Sequence, residues 1–362
     1  MGNILILKND WGYVASSLLP KAEGKIDIGI LRKKLESLGH CTDVAGLEDL
    51  HFPTDYKGWY VIYPSSEDAG LFYKEFIEDI LIRLLLDGAV LLPGFEYFRA
   101  HHNKVFMELL RTGLNDKGLK TIRSWCFYSC ENVRRILKKE GEQISFPLVV
   151  KTSSGAGSAG VILVHNQREL IKRIQKLGKI SFSGGIISRK KKLRMQLGKI
   201  KRKILGIKLP YQALPREKMI MQNFIPNLKC DYKVLVFGEK YYILRRKVRN
   251  HDFRASGSGM LEFPENMTKQ EYSVLDLAKS AYEEFDNPFL SIDIAFDGVK
   301  CHMIEFQCLN FGPYTLQYSS RYYKYIDHEW KEIEKKSVLE IEMANAIDFH
   351  IKKHRKGTEN IE

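Results

Sequence analysis

The chain has 362 residues, and at roughly 100–200 residues per domain it has room for two or three domains. Hydrophobic residues make up 44% of it and charged residues 28%, which fits a folded globular protein and excludes disordered, collagen-like and fibrous classes. The net charge of +13 suggests nucleic acid, acidic lipid or a polyanionic small molecule as partners.

The sequence indicates neither membrane insertion nor secretion. Its longest apolar stretch, residues 80–95, is interrupted by Arg83 and Asp87 and is too short to span a bilayer. The N-terminus becomes apolar at once, without the basic region of a leader, so residues 3–8 are expected to form a β-strand. Six cysteines without regular spacing predict buried, unpaired thiols and a reducing, cytoplasmic environment.

The first hundred residues alternate strand and helix patterns. Besides residues 3–8, short apolar runs predict strands at 59–63 and 89–92, and helical spacing of apolar residues predicts helices at 25–38 and 72–86. Gly39 is placed to end the first helix. Strands that alternate with helices predict a parallel sheet, and therefore an α/β domain over residues 1–100.

A further helix is expected at residues 104–111, ended by Gly113. His101 and His102 directly precede it. We interpret this pair as the N-terminal flank of the helix rather than as a metal site.

A segment rich in Gly and Ser lies between two predicted strands, residues 146–151 and 161–165. It matches the G-x-G-x-x-G pattern, but a strand follows instead of a helix, which excludes a dinucleotide-binding turn. It also lacks the Gly-Lys-Ser/Thr ending of a Walker A loop. A flap that closes over phosphates remains, with Lys151 directly before it. On these residues alone, a flexible hairpin turn is an equal alternative.

Two antiparallel hairpins are predicted in the second half of the chain. Residues 232–237 and 241–246 are joined by Gly238-Glu239, a two-residue turn, and residues 291–295 and 301–306 are joined through Asp297-Gly298. Thr268 and Glu271 are spaced as a capping box that opens a helix at 272–285. Residues 330–349 are predicted to form an amphipathic helix, followed by a basic tail.

The second hairpin carries hard oxygen ligands on predicted strands. Glu305 and Gln307 are two residues apart and therefore share a face. Asp293 joins them if a three-residue loop, residues 296–298 with Gly298 left-handed, pairs Asp293 with Cys301. A tight two-residue turn would instead place Asp293 opposite His302 and turn Glu305 away. For each carboxylate alone, a surface salt bridge is the simpler interpretation.

Seven motifs occur in an order that resembles the ATP-grasp superfamily. The similarity is closest to carboxylate–amine ligases of the peptide-modifying glutamate ligase type and more distant to D-alanine–D-alanine ligase. The motifs are Pro147-Leu-Val-Val-Lys151 with its glycine-rich segment, Met221-Gln-Asn-Phe-Ile225, Asp231-Tyr-Lys-Val-Leu-Val236, Arg245-Arg246, Asp252-Phe-Arg254-Ala-Ser256, Ser291-Ile-Asp293 and Ile304-Glu305-Phe-Gln307.

The resemblance implies an α/β (α+β ATP-grasp) fold in which an N-terminal α/β domain precedes two α+β lobes that enclose ATP. Residues 101–225 would form the small lobe, with a basic insertion at about 186–212. Residues 226–328 would form the large lobe with the metal site. The C-terminal helix and basic tail would occupy residues 329–362.

The resemblance also implies roles for individual residues. Two lysines, the glycine-rich segment, a hinge strand and an aspartate that accepts the ribose hydroxyls would bind ATP: Lys104, Lys151, Ser153, Ser154, Gly155, Gly157, Gly160, Gln222, Asn223, Ile225 and Asp231. Mg²⁺, for which Mn²⁺ can substitute, would be held by Asp293, Glu305 and Gln307. Arg246, Arg254 and Ser256 would face the transferred phosphoryl group. Gln307 and Ser256 stand where the family usually has Asn, and Gln307 retains an oxygen ligand.

The implied reaction is ligation, in which ATP converts a carboxylate to an acyl phosphate and an amine attacks it. A kinase that phosphorylates a hydroxyl is the alternative within this fold, and a nucleic-acid or anionic-surface binding module is the alternative outside it. The second rests on a basic block, residues 189–208, in which ten of twenty residues are Lys or Arg. Because the block lacks interleaved aromatic residues, no nucleic acid is expected. We interpret it as a lid that recruits a polyanionic acceptor, with a solvated surface insertion as the equal alternative.

Overall fold

The computed structural model describes residues 2–10, 12, 14, 26–68, 70–155, 160–180, 197–198, 200–201, 204–206, 218–249 and 252–359. The chain forms two compact units. Unit 1 comprises Met1–Arg123 and Ile225–Glu362, and unit 2 comprises Ser124–Gly155 and Ala159–Phe224. Residues 101–123 therefore belong to unit 1, although they were predicted as part of the small lobe. Most of the basic block lies outside the described residues.

The helices and strands of the described residues follow one another in this order: β1 (Asn3–Lys8), α1 (Ile28–Ser37), β2 (Cys41–Gly46), β3 (Tyr60–Ile62), α2 (Phe72–Leu86), β4 (Val90–Leu92), α3 (Phe95–Ala100), α4 (Lys104–Gly113), β5 (Ser124–Phe127), α5 (Cys130–Glu140), β6 (Leu148–Thr152), β7 (Val161–Val164), α6 (Gln167–Ile180), β8 (Met219–Asn223), β9 (Cys230–Phe237), β10 (Lys240–Lys247), β11 (Leu261–Glu262), α7 (Lys269–Glu284), β12 (Phe289–Phe296), β13 (Cys301–Gln307), α8 (Tyr314–Tyr318), β14 (Arg321–Ile326), β15 (Glu329–Glu334) and α9 (Leu339–Glu359).

The N-terminal part of unit 1 is a four-stranded sheet in the order β2-β1-β3-β4. All of its strand pairs are parallel, which confirms the prediction from the alternating pattern. The Asp27 side chain accepts a hydrogen bond from the Ile30 main-chain N–H at the start of α1. Gly39 ends that helix with a φ of 91°, a conformation that side chains with a Cβ rarely adopt.

A larger antiparallel sheet forms the rest of unit 1, in the order β13-β12-β9-β10-β14-β15, with β11 paired to β10. The predicted capping box of Thr268 and Glu271 is present at the start of α7, which packs on the sheet through Val274 and Ala278. Gly238-Glu239 is the predicted two-residue turn, because Phe237 pairs with Lys240.

The prediction of a helix from residue 330 was wrong at its start. Residues 329–334 form strand β15, and the helix begins only at Leu339. Asp327 and His328 both have positive φ, at 52° and 66°, and connect β14 to β15 in a two-residue turn. Trp330 packs edge-on against Tyr241, with ring centroids 5.0 Å apart. This packing on the sheet outweighs the helical pattern of the segment.

Unit 2 is built on a four-stranded antiparallel sheet in the order β5-β8-β6-β7. One face packs with α5 and α6 in a core that includes Val133, Val150, Leu170 and Met221. β6 and β7 flank the glycine-rich segment, as predicted, with Lys151 opposite Val161.

All six cysteines lie among the described residues, where none forms a disulfide; Cys308 is buried, Cys41 is exposed and the other four are half-buried. The prediction of thiols is therefore confirmed, whereas the prediction that they are buried was mostly wrong. Across the described parts of the chain, the helices are all too short or too polar to span a bilayer.

Candidate active site

One face of the antiparallel sheet in unit 1 carries all three predicted metal ligands together with two other predicted site residues, Asp231 and Arg246. Side chains alternate between the two faces of a strand. Tyr232, Val234 and Ile292 belong to the core on one face. Their neighbours project from the other face, which we call the polar face: Asp231, Lys233, Arg246, Ser291, Asp293, Glu305 and Gln307.

Asp293 and Glu305 pair directly across β12 and β13. Neither of the two predicted pairings of Asp293, with Cys301 or with His302, is present. The strands are joined by residues 297–300, with Phe296 opposite Cys301 and the Asp297 N–H bonded to the Lys300 carbonyl. Gly298 is left-handed, as predicted, at a φ of 99°.

A register shift between Asp293 and Ile294 leaves Ile304 as an extra residue on β13. The bulge was predicted at the turn and instead lies within the ladder. Its effect is the predicted one, because Asp293, Glu305 and Gln307 project from a single face.

Arg246 links two of the acids on the polar face, the buried Asp231 and the partly exposed Asp293. Its Nε and Nη2 donate to the two carboxylate oxygens of Asp231, at 2.6 and 2.9 Å. Nη2 also lies 2.9 Å from Asp293 Oδ2. Burial alone would lower the pKa of Arg246, but the carboxylates of Asp293 and Asp231 raise it above its usual value. Arg246 is therefore a fixed cation at this position.

Asp231 has both of its oxygens engaged by Arg246. Burial raises the pKa of this carboxyl to about 6, against the opposing effect of Arg246. Its assignment to the ribose hydroxyls stays a prediction.

Lys233 is a member of the polar face that the motifs did not single out. Its Nζ donates to Ser291 Oγ at 2.7 Å and lies 3.7 Å from Asp293 Oδ1. Burial lowers the pKa of this lysine. The sequence signal that could have found Lys233 is its position two residues after Asp231 in a mostly apolar strand, which places both side chains on one face.

Two more described residues border the carboxylates. Lys104, at the start of α4, places Nζ 3.6 Å from Glu305 Oε1. Tyr314, at the start of α8, has its ring centroid 6.0 Å from Lys233 Nζ, and burial raises the pKa of its hydroxyl against the opposing effect of Arg246. Lys104 was predicted as a nucleotide ligand, and Tyr314 belongs to a tyrosine-rich stretch without an assigned role.

Arg254 and Ser256 lie in the segment that follows β10. Arg254 donates to both carboxylate oxygens of Asp252, with Nη2 2.7 Å from Oδ2 and Nε 3.0 Å from Oδ1. Arg249 donates to the main-chain carbonyl of Ser256 at 3.5 Å. The Asp252 carboxylate orients the Arg254 guanidinium.

In unit 2, two of the predicted ATP ligands, Lys151 and Gln222, lie on the sheet face opposite the core. Lys151 pairs with Ile220 and Val149 pairs with Gln222, so Lys151 and Gln222 share a face. Both side chains are buried. Asn223 ends β8, and Ile225 follows as the first residue of the second segment of unit 1.

The glycine-rich segment is described at both ends, at residues 153–155 and at Gly160, whereas Gly157 lies outside the described residues. Gly160 has a φ of 78°, and a Cβ there would lie 2.2 Å from Thr152 Oγ1. Only glycine fits this position. Ser153 is buried, and its N–H donates to the Lys218 carbonyl at 2.9 Å.

The donor set of the polar face fits a magnesium ion. Asp293, Glu305 and Gln307 offer carboxylate and amide oxygens from paired strands, which are the ligands that this hard cation prefers. Lys104, Lys233 and Arg246 already place positive charge at these carboxylates. The face therefore suits an ion together with a polyphosphate, whose charge the same cations would neutralise.

The whole chain superposes on solved ligases. D-cycloserine synthetase aligns with a TM-score of 0.53 and 12% identity over 96% of this chain and 99% of that chain. The ATP complex of D-alanine–D-alanine ligase from Bacillus anthracis aligns with a TM-score of 0.52 and 11% identity, over 99% and 100% of the two chains. The chain has the ATP-grasp fold.

The ATP-grasp fold confirms the prediction made from the seven motifs. No protein-family model matches the sequence, and no curated protein matches it significantly. At these identities the similarity to solved ligases establishes the fold alone, so the chemistry has to be argued from the side chains.

Proposed function

We propose that the protein is an ATP- and Mg²⁺-dependent ligase that activates a carboxylate as an acyl phosphate and joins it to an amine. The observation that carries the proposal is the direct pairing of Asp293 with Glu305 on a face that also holds Arg246 and Lys233. Phosphoryl transfer from ATP requires oxygen ligands for Mg²⁺ and fixed cations for the charge on the transferred group. The polar face has both.

The proposed ligand roles follow the ATP-grasp fold. Asp293, Glu305 and Gln307 would hold Mg²⁺, and Lys104 and Lys151 would contact ATP phosphates. Ser153, Ser154, Gly155, Gly157 and Gly160 would form the phosphate flap, whose backbone N–H groups bind phosphate oxygens. Gln222, Asn223 and Ile225 would contact the adenine, and Asp231 the ribose. Arg246, Arg254 and Ser256 would act at the transferred phosphoryl group. These assignments are proposals.

The neighbouring cations also explain how the carboxylates of Asp293 and Glu305 can lie on adjacent strands. Two carboxylates on paired strands repel each other. Arg246 and Lys233 contact Asp293, and Lys104 lies beside Glu305. We infer that these cations offset the repulsion between the two carboxylates, which can therefore stay together on one face where a divalent ion would bind.

The test is ADP release from the purified chain in the presence of Mg²⁺, screened against pools of carboxylic acids and amines, with mass spectrometry of the products. The proposal expects ADP release that needs both an acid and an amine, and a product whose mass equals their sum less one water. A phosphorylated hydroxyl as the product would instead show the kinase alternative. Salt-sensitive retention of DNA or RNA without ADP release would show the nucleic-acid alternative.

A further inference from the structure

Two consecutive histidines of unit 1 converge on one carboxylate. His102 Nε2 lies 2.8 Å from Glu67 Oε1, and His101 Nε2 lies 3.4 Å from the same oxygen. Ligand atoms of the three residues all lie within 4.8 Å of one another. Neighbouring side chains in a helix or strand point in different directions, so this convergence needs a local backbone feature.

The feature is the corner between α3 and α4. The helix α3 ends at Ala100, and His102 then adopts a left-handed backbone with a φ of 55°. That conformation is uncommon for any residue with a side chain, although histidine enters it more often than most. It leaves the two imidazole rings edge to face, with centroids 4.8 Å apart.

A hydrogen bond to a serine orients the buried imidazole ring of His101. Only 4% of the residue is exposed, and its Nδ1 lies 2.9 Å from Ser65 Oγ. Its Nε2 is buried, faces Glu67 and has no hydrogen bond of normal geometry among the described residues. Histidines that bind metal ions are held in this way, with one ring nitrogen bonded to a fixed partner and the other turned to the ion.

The segment that carries Glu67 is also held in place. Asp68 accepts hydrogen bonds from the N–H groups of Tyr73 and Lys74 in the first turn of α2. The buried Lys74 ammonium in turn donates to the His101 carbonyl. Glu67 itself keeps 38% of its side chain exposed, so an ion has a path from solvent.

We propose that Glu67, His101 and His102 bind a divalent transition-metal ion of the Zn²⁺ class. Two imidazole nitrogens and one carboxylate are a donor set that Zn²⁺ accepts, and three protein ligands leave a coordination position open. Mg²⁺ prefers oxygen ligands, so this site differs in kind from that of Asp293 and Glu305. The site follows the carboxyl ends of β3 and β4, the edge of a parallel sheet where ligands bind.

The test measures binding of Zn²⁺, and of Co²⁺ as a spectroscopic probe, to the full chain after chelator treatment. Excess Mg²⁺ is added to the assay so that it competes with Zn²⁺ for the oxygen ligands of the polar face. The measurements use a His354→Gln background, because Asp286, His350 and His354 form a second group that could bind the ion. We expect one Co²⁺ per chain, with the visible absorption of a site that has nitrogen ligands.

The variants are Glu67→Gln and His102→Asn, since Asn tolerates the left-handed backbone and lacks the imidazole. Ser65→Ala removes only the hydrogen-bond partner of a metal ligand and is expected to weaken Zn²⁺ binding roughly 10–100-fold. Glu67→Gln and His102→Asn each remove a ligand and are expected to weaken it by more than that. Circular dichroism of the metal-free variants checks the fold. If the parent binds no Zn²⁺, or if Glu67→Gln and His102→Asn both bind it as tightly as the parent, the proposal is wrong.

Discussion

Asp293 and Glu305 face each other across β12 and β13 because one residue, Ile304, is left out of the ladder. A regular ladder continued from Phe296 and Cys301 would place Ile304 opposite Asp293 and turn Glu305 to the core face. The bulge therefore moves a carboxylate from the apolar side of the sheet to the side that holds Arg246 and Lys233. Bulges are common next to active sites, where they redirect a side chain in this manner.

The pairing predicts that Glu305→Gln raises the Mg²⁺ concentration needed for ATP turnover. The amide keeps one oxygen ligand and loses the negative charge that attracts the ion. We expect the Mg²⁺ requirement to rise by more than the roughly 10–100-fold typical for loss of an outer ligand partner. Glu334→Gln is the matched control, since the Glu334 side chain is 79% exposed on β15. Equal Mg²⁺ titration curves for both variants would contradict the metal assignment.

The hairpins show what the sequence could predict and what it could not. The turn at Gly238-Glu239 could be predicted, because two-residue hairpin turns require positive φ and glycine adopts it readily. Asp327-His328 forms a comparable turn without glycine, so β14 and β15 were missed. In the hairpin of β12 and β13, the place of the bulge depends on packing across the whole sheet, which local spacing does not reveal.

The same distinction applies to the candidate site. Glu305 and Gln307 were predicted to share a face because they are two residues apart on a strand, whereas Asp293 joined them through a predicted three-residue loop. The convergence of Glu67 with His101 and His102 was not predicted, since it depends on a left-handed residue between two helices and on a partner distant in sequence. Lys233 was missed because a lysine in a strand normally indicates a solvent-exposed position.

A second prediction separates nucleotide binding from turnover. Lys151 is a buried cation beside the glycine-rich segment, so Lys151→Ala is expected to weaken ATP binding. Arg254 is held by Asp252 in a different unit of the fold, so Arg254→Ala is expected to leave ATP binding nearly unchanged and to remove turnover. Calorimetric ATP titration and ADP release measure the two effects. A comparable loss of ATP affinity in Arg254→Ala would contradict this division of roles.

A third prediction concerns the helix that carries Lys104. Glu108 and Arg111 form a buried ion pair in α4, with Nη2 2.6 Å from Oε2 and both side chains at most 2% exposed. Glu108→Leu leaves the guanidinium without this carboxylate, which typically costs about 3–5 kcal/mol of unfolding free energy. The double variant Glu108→Leu/Arg111→Met is expected to recover most of the loss, because an apolar pair carries no desolvation cost.

Denaturant unfolding of the three proteins measures this difference. The control is Glu36→Gln, which removes an exposed pair with Arg32 and should change the unfolding free energy far less, because water screens such a pair. If Glu108→Leu costs no more unfolding free energy than Glu36→Gln, leaving Arg111 without its carboxylate carries no large penalty and the prediction is wrong.

The last prediction tests Lys233 by separating stability from function. Burial lowers the pKa of this lysine, so the protonated form is disfavoured in the folded state and folding is penalised wherever the unfolded chain would be protonated, which includes neutral pH. Met has a similar length and no charge, so Lys233→Met relieves that penalty, while Arg246 still neutralises Asp293. We therefore expect the unfolding free energy at neutral pH to stay unchanged or to rise.

Turnover of Lys233→Met should fall by at least about tenfold, because the charge on the transferred phosphoryl group loses a fixed cation. Ser291→Ala, which removes only the hydrogen-bond partner of Lys233, should lose less. Parallel measurements of denaturant unfolding and ADP release decide the matter: a variant that is destabilised and still turns over normally would make Lys233 a structural residue.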